Sequence, residues 1–188
     1  MISDFNSILQ DNPVIASIKD DEGLKKVLET ECKIVFILYG DILNIASIVQ
    51  TLKDNDRIVF INIDLLDGLS NKEIAVKFLK QNTKADGILS SKAQSIKAAR
   101  SMGLIAIHRF FLIDSFSFHN LNKQIEISQP DCIEILPGCM PRVITWVMEK
   151  ISIPLIAGGL VCEKEDVVSA LKAGATAISS TNTDVWSM

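Results

Sequence analysis

This 188-residue chain lacks almost every feature that announces a specific chemistry. Its four cysteines, Cys32, Cys132, Cys139 and Cys162, show no C-x-x-C spacing. That argues against a zinc ribbon or a thioredoxin-type pair and leaves reduced thiols. Cys139 and Cys162 follow neighbouring apolar runs, but no third ligand accompanies them, so no metal site is expected. There are two histidines, His108 and His119, with no H-x-H pair and no His/Asp cluster. A metal hydrolase is therefore not expected. No lysine lies mid-strand in apolar surroundings, which counts against a Schiff-base aldolase. No G-x-G-x-x-G follows the first strand, which disfavours an open dinucleotide-binding sheet.

Basic charge is also scarce. Lys and Arg number 19 against 23 Asp and Glu, for a net charge of −4. This balance speaks against a free-standing nucleic-acid binder without excluding a local basic face. No apolar run approaches the roughly 18 residues of a membrane span; Ile34–Tyr39 is stopped by Gly40-Asp41. The opening MISDFNSILQD has neither the basic region nor the apolar region of a signal peptide. A cytoplasmic location and no membrane partner are the expectations.

What the chain has is a regular alternation. Hydrophobic residues make up 48% and charged residues 22%, enough for a sizeable core, and residues 1–188 are expected to form one domain. Short apolar runs read as strands at Val14–Ile18, Ile34–Leu38, Ile58–Ile63, Gly87–Ser90, Leu104–His108, Cys132–Leu136, Pro154–Ala157 and Ala177–Ser179. Between them, Glu22–Glu29, Leu43–Lys53, Asn71–Gln81, Ala93–Met102, Phe116–Ser128, Arg142–Glu149 and Glu163–Lys172 show helical spacing. Asp20 or Asp21, Ser70 (with Glu73 three residues on) and Asp114 are the expected helix caps, and Gly103 and Gly174 the expected stops. Alternating βα units imply a parallel sheet, and eight of them predict an α/β fold, a compact (β/α)8 TIM barrel. About ten residues follow the last strand, so the final helix is short or absent. An unfinished outer ring exposes apolar barrel surface, a motive for a homodimer.

In this architecture function sits at the C-terminal ends of the strands, and the loops after strands 7 and 8 commonly build a phosphate site. Here those loops carry Gly158-Gly159 and Ser179-Ser180. Glycines admit the backbone N–H groups to an anion, and the following helix start adds positive potential. In Ile61-Asn62-Ile63-Asp64 the isoleucines face the helices, so Asn62 and Asp64 point inward, and Glu134 does the same in Cys132–Ile135. Two interior carboxylates suit an acid/base pair. The structural reading for Glu134 is a buried ion pair with Arg109 on the neighbouring strand. Lys19, Lys92, Arg109 and Arg142 all fall near strand ends, where a positive rim suits an anionic ligand. Phe110, Phe111, Phe116 and Phe118 offer either a stacking face for bases or packing of a helix onto the barrel.

Several segments together resemble the glycerol uptake operon antiterminator regulatory proteins. They are FINIDLLDGL at Phe60–Leu69, GILSS at Gly87–Ser91, LIAIHRFFLIDS at Leu104–Ser115, PDCIEILPG at Pro130–Gly138 and AGGL at Ala157–Leu160, in family order and spanning nearly the whole chain. The resemblance implies a cytoplasmic regulator rather than an enzyme. It would sense glycerol 3-phosphate and bind leader mRNA to prevent premature termination at glycerol-utilisation genes, with no catalytic residue and no cofactor. Carried over by position, Gly158, Gly159, Ser179 and Ser180 would hold the phosphate and Asp64 the glycerol hydroxyls. Arg109 would support the anion or Glu134, and Lys92 stands where the family carries Arg. Cys162 also stands where the family carries Arg, which removes one charge-assisted contact, and His108 replaces Gln. The alternative is a TIM-barrel enzyme acting on a small glycerol- or sugar-phosphate through Asp64 and Glu134.

Overall fold

A computed structural model describes residues 5–70 and 72–188. Eight parallel strands close a barrel in sequence order, β1 (Val14–Ile18), β2 (Ile34–Ile37), β3 (Ile58–Asn62), β4 (Gly87–Ser90), β5 (Ile105–Phe111), β6 (Cys132–Leu136), β7 (Leu155–Gly158) and β8 (Ala177–Ser180). β8 pairs with β1 through Val14–Ile178, Ile15–Ser179 and Ala16–Ser180, which completes the ring. The expected (β/α)8 barrel is the observed fold.

The helices are α1 (Phe5–Asp11), α2 (Asp21–Leu28), α3 (Ile45–Lys53), α4 (Glu73–Asn82), α5 (Ala93–Ser101), α6 (Ser115–Ser128), α7 (Pro141–Met148) and α8 (Lys164–Lys172). Caps explain several boundaries. The Asp20 side chain accepts from the Gly23 N–H at 2.7 Å and starts α2. Asp114 accepts from Ser117 N–H at 2.7 Å, while the Ser117 hydroxyl lies 3.2 Å from the Asp114 N–H, a reciprocal cap on α6. Ser70 is not a cap: α4 starts three residues later, with Lys72 at the capping position and no side-chain bond there. Asn71, expected as the first residue of that helix, lies outside the described residues.

Two elements had no sequence expectation or a different one. α1 has no counterpart in the sequence pattern; its Phe5 and Leu9, one helical turn apart, are buried with Phe36 and Phe60 in the cluster that fills the barrel interior. β5 runs to Phe111, three residues past the expected end, so Arg109 is an interior strand residue rather than a rim residue.

The final helix is reduced to a 3-10 turn, Val185–Ser187. This turn corrects the expectation of an exposed seam. Val185 is buried in the same core cluster as Ile178, and Trp186 in the same cluster as Ala16, Val27 and Cys32. The Trp186 indole N–H donates to the Ser180 carbonyl at 2.8 Å, and the Cys32 thiol lies 3.3 Å from the Trp186 carbonyl. Two buried side chains thus cover the barrel after β8. Among the described residues no helix is long and apolar enough to cross a membrane.

Candidate functional site

The barrel interior changes character along each strand. Inward-facing Ile15, Phe60, Ile107, Cys132, Ile156 and Ala177 belong to the apolar interior cluster. Two residues further on, the same faces carry Ser17, Asn62, Arg109, Glu134, Gly158 and Ser179. Side chains alternate across a strand, so a step of two residues keeps the direction and changes only the depth. The apolar plug ends where this polar layer begins.

Glu134 is the centre of that layer and is fully buried. Its Oε2 receives the Arg109 Nε–H at 2.5 Å, and its Oε1 receives the Ser179 hydroxyl at 2.5 Å. Strand register sets this up: Arg109 lies opposite Glu134, and Gly158 lies opposite Ser179. The buried carboxylate is paired and hydrogen-bonded, as a charge in a low-dielectric interior must be. Of the two roles open to Glu134, the ion pair with Arg109 is the one present.

Above this pair lies a cavity of about 130 Å3, lined by Ser17, Arg109, Glu134, Gly159, Ser179 and Thr181, together with the loop Leu160–Cys162. It is smaller than the roughly 300–1,000 Å3 of a drug-sized site, which limits the occupant to a small molecule. Gly159 has φ +71°, in the left-handed region that suits glycine at the turn out of β7. The Ser180 hydroxyl donates to the Val161 carbonyl at 2.7 Å and accepts from the Asn182 N–H at 3.1 Å, so it ties the β7 and β8 loops together. The side chain of Asn182 donates to the Cys162 carbonyl at 2.8 Å across the same gap.

Asp64 sits apart from that cavity, in the 3-10 turn Ile63–Leu65 after β3, and is half-buried. Its carboxylate accepts the Ser90 hydroxyl at 2.7 Å, the Ser91 N–H at 2.6 Å and the Ser91 hydroxyl at 2.8 Å. Asn62 is inward and buried, and its side chain accepts from the Asp64 N–H at 3.1 Å.

The four expected rim cations do not converge. Arg109 lines the cavity. Lys19 is exposed beside Asp20 and Glu22, Lys92 is exposed at the start of α5, and Arg142 stacks over Trp146, 4.9 Å from its centroid. The phenylalanines divide between packing and exposure. Phe110 is buried in the core and Phe118, on α6, is half-buried against the same cluster, while Phe111 and Phe116 are exposed.

His108 faces the helix layer, not the mouth. Its Nδ1 lies 2.8 Å from the Ser128 hydroxyl on α6 and its Nε2 lies 3.4 Å from the Ser91 carbonyl. Burial pushes its pKa down to about 4, against weaker upward pulls from the Ser91 carbonyl and the Asp64 charge. His119 is exposed, edge-on to Phe118. All four cysteines are free, and no three metal-ligating side chains cluster among the described residues.

Sequence reasoning did not mark Leu38, Leu136, Leu160 and Val161 as cavity walls. Leu38 and Leu136 were findable, since they continue the inward alternation of β2 and β6. Leu160 and Val161 belong to a loop whose path no periodicity reports.

Comparison with known proteins gives consistent matches over this whole framework. A family model described as glycerol-3-phosphate responsive antiterminator matches residues 14–186. An uncharacterized protein of Escherichia coli K12, YgcP, is 54% identical over 181 residues, covering 96% of this chain and 95% of that protein. The crystal structure of a glycerol uptake operon antiterminator regulatory protein from Listeria monocytogenes superposes with TM-score 0.91 at 31% identity, covering 94% of this chain and 95% of the other. That of an antiterminator-related protein from Thermotoga maritima gives 0.83 at 32% identity, covering 94% and 99%.

Proposed function

The chain belongs to the glycerol-3-phosphate responsive antiterminator family, and from that premise we propose that it binds glycerol 3-phosphate at the barrel mouth and, in response, binds leader mRNA to antiterminate transcription of glycerol-utilisation genes. The observation that carries this reading is the small cavity between the β7 and β8 loops, floored by the Arg109–Glu134 pair. Its size suits a three-carbon phosphate, and its walls combine loop backbone with hydroxyls. Gly158 and Gly159 would let the phosphate approach the main chain, with Ser179 and Ser180 beside it. Arg109 offers its remaining guanidinium N–H groups while its Nε stays on Glu134. Asp64 lies outside this cavity; it has acceptor capacity beyond its three bonds to Ser90 and Ser91 and would take a glycerol hydroxyl only if the ligand extends from the cavity across the mouth. Lys92, exposed at the start of α5, would contribute only longer-range positive potential. No cofactor enters this scheme, and the protein would act in the cytoplasm as a homodimer, for which exposed Phe111, Ile113 and Phe116 offer apolar surface in place of the covered seam.

The ligand can change RNA affinity only by binding two states of the protein unequally. The test is therefore threefold. Glycerol 3-phosphate is expected to raise the thermal midpoint, glycerol alone is not, and neither is turned over when products are analysed. Asp64→Asn is expected to weaken glycerol 3-phosphate by about tenfold, the scale of one charge-assisted hydrogen bond, while leaving inorganic phosphate unchanged. Light scattering checks the dimer. Turnover of the phosphate ester would overturn the regulator reading in favour of an enzyme.

A further inference from the structure

The charge of this chain is segregated. The stretch Lys72–Arg100, which spans α4, β4 and α5, holds seven Lys and Arg side chains and only two carboxylates, in a chain whose total is −4. Both carboxylates are accounted for locally. Asp86 binds Lys53 at 2.7 Å and the Val59 N–H at 2.8 Å, and Glu73 opens α4, where a negative charge suits the helix dipole.

The cations are different. Lys77, Lys80, Lys84 and Lys97 are exposed, and among the described residues none has a carboxylate within ion-pair distance. Lys77 and Lys80 are three apart on α4 and share a face; Lys84 follows just past its end. Lys97 lies on α5, which packs beside α4. Elsewhere the cations are interleaved with acids, as in Asp20-Asp21-Glu22 with Lys25-Lys26, or Lys164 within Glu163–Asp166. A solvated lysine is ordinary, and Lys80 in the last turn of α4 is favoured by the helix dipole. Neither explains four unpaired cations gathered on α4, just past its end and on α5, because like charges at such spacing repel one another.

We propose that the α4–α5 face binds the phosphate backbone of RNA; this rests on the regulator reading above and names the surface that delivers its output. A polyanion relieves the mutual repulsion of these lysines and releases its own counterions in doing so. The face is also mechanically linked to the mouth. α5 follows directly on Ser90-Ser91, whose hydroxyls and the Ser91 N–H are held by Asp64. A ligand that draws on Asp64 changes what holds the start of α5.

The test uses the full chain with glycerol 3-phosphate and a fluorescein-labelled oligouridylate of about 20 nucleotides, followed by anisotropy across a salt series. Lys77→Glu/Lys80→Glu/Lys84→Glu is expected to weaken binding at least tenfold and to lower the slope of log affinity against log salt by about 2, three phosphate contacts at about 0.7 each. Lys33→Glu/Lys164→Glu/Lys172→Glu makes the same charge change at three other exposed lysines and is expected to lose about twofold or less, the residue of long-range steering. Each triple loses one lysine from a last helical turn, Lys80 or Lys172, so the two should have similar thermal midpoints and both should keep the rise with glycerol 3-phosphate. Equal losses in the two triples, or full affinity in the first, would overturn the α4–α5 assignment and leave the regulator reading standing. A wild-type protein that binds no RNA with or without glycerol 3-phosphate would remove the RNA output itself, and this face with it.

Discussion

Glu134 occupies the space that a side chain on Gly158 would take. A β-carbon built on Gly158 would lie 2.6 Å from Glu134 Oε1 and 2.5 Å from the Ser179 hydroxyl. The glycine of β7 is therefore required by the carboxylate of β6, in addition to any ligand. Gly158→Ala is expected to cost about 1–3 kcal/mol, the scale of an overpacked core, and to abolish stabilisation by glycerol 3-phosphate. Urea denaturation with and without the ligand measures both.

Arg109 and Glu134 should behave as a unit. Arg109→Met strands a buried carboxylate and is expected to cost about 3–5 kcal/mol. Arg109→Met combined with Glu134→Leu removes both charges and should recover most of that loss, while ligand binding stays abolished because the guanidinium is gone. A double-mutant cycle by denaturation checks the coupling. A double variant no more stable than Arg109→Met would show that the two charges do not compensate each other.

His108 is expected to make the protein acid-sensitive, and the sign follows from its depressed pKa. In the unfolded chain the imidazole takes a proton below its ordinary value of 6.5; in the folded chain it resists until about 4. The unfolded state therefore binds the extra proton first, so stability is full above pH 6.5 and is lost as pH falls towards 4. The whole loss is about 3 kcal/mol, because each tenfold difference in proton affinity between the folded and unfolded chain is worth about 1.4 kcal/mol. His108→Gln, which keeps a polar partner for Ser128, is expected to flatten that dependence when denaturation is compared at about pH 7 and about pH 5, on either side of the ordinary histidine value. An unchanged slope in the variant would assign the acid sensitivity elsewhere.

Much of this molecule is legible in one dimension. The order of the eight strands, the caps at Asp20 and Asp114, and the inward direction of Asn62 and Glu134 all follow from periodicity and from what a helix end needs. The depth of the polar layer is not legible: Arg109 reads as a rim residue in the sequence and lies inside β5 only because that strand runs on to Phe111. Alternation is a local property of a pleated strand, so the sequence carries it directly.

The meetings between distant residues are not local. Glu134 and Ser179 lie 45 positions apart and touch only because the barrel closes with β7, bearing a glycine, between them. Asp64 finds Ser90 and Ser91 through the path of the turn after β3. The rim cations all stand near strand ends in the sequence, yet loop paths send Lys92 and Lys19 to solvent and Arg142 onto Trp146, leaving Arg109 in the cavity. Trp186 likewise covers a seam that composition alone left open. Strand alternation says which way a side chain points; closure, register and loop path say what it meets, and those are properties of the whole fold.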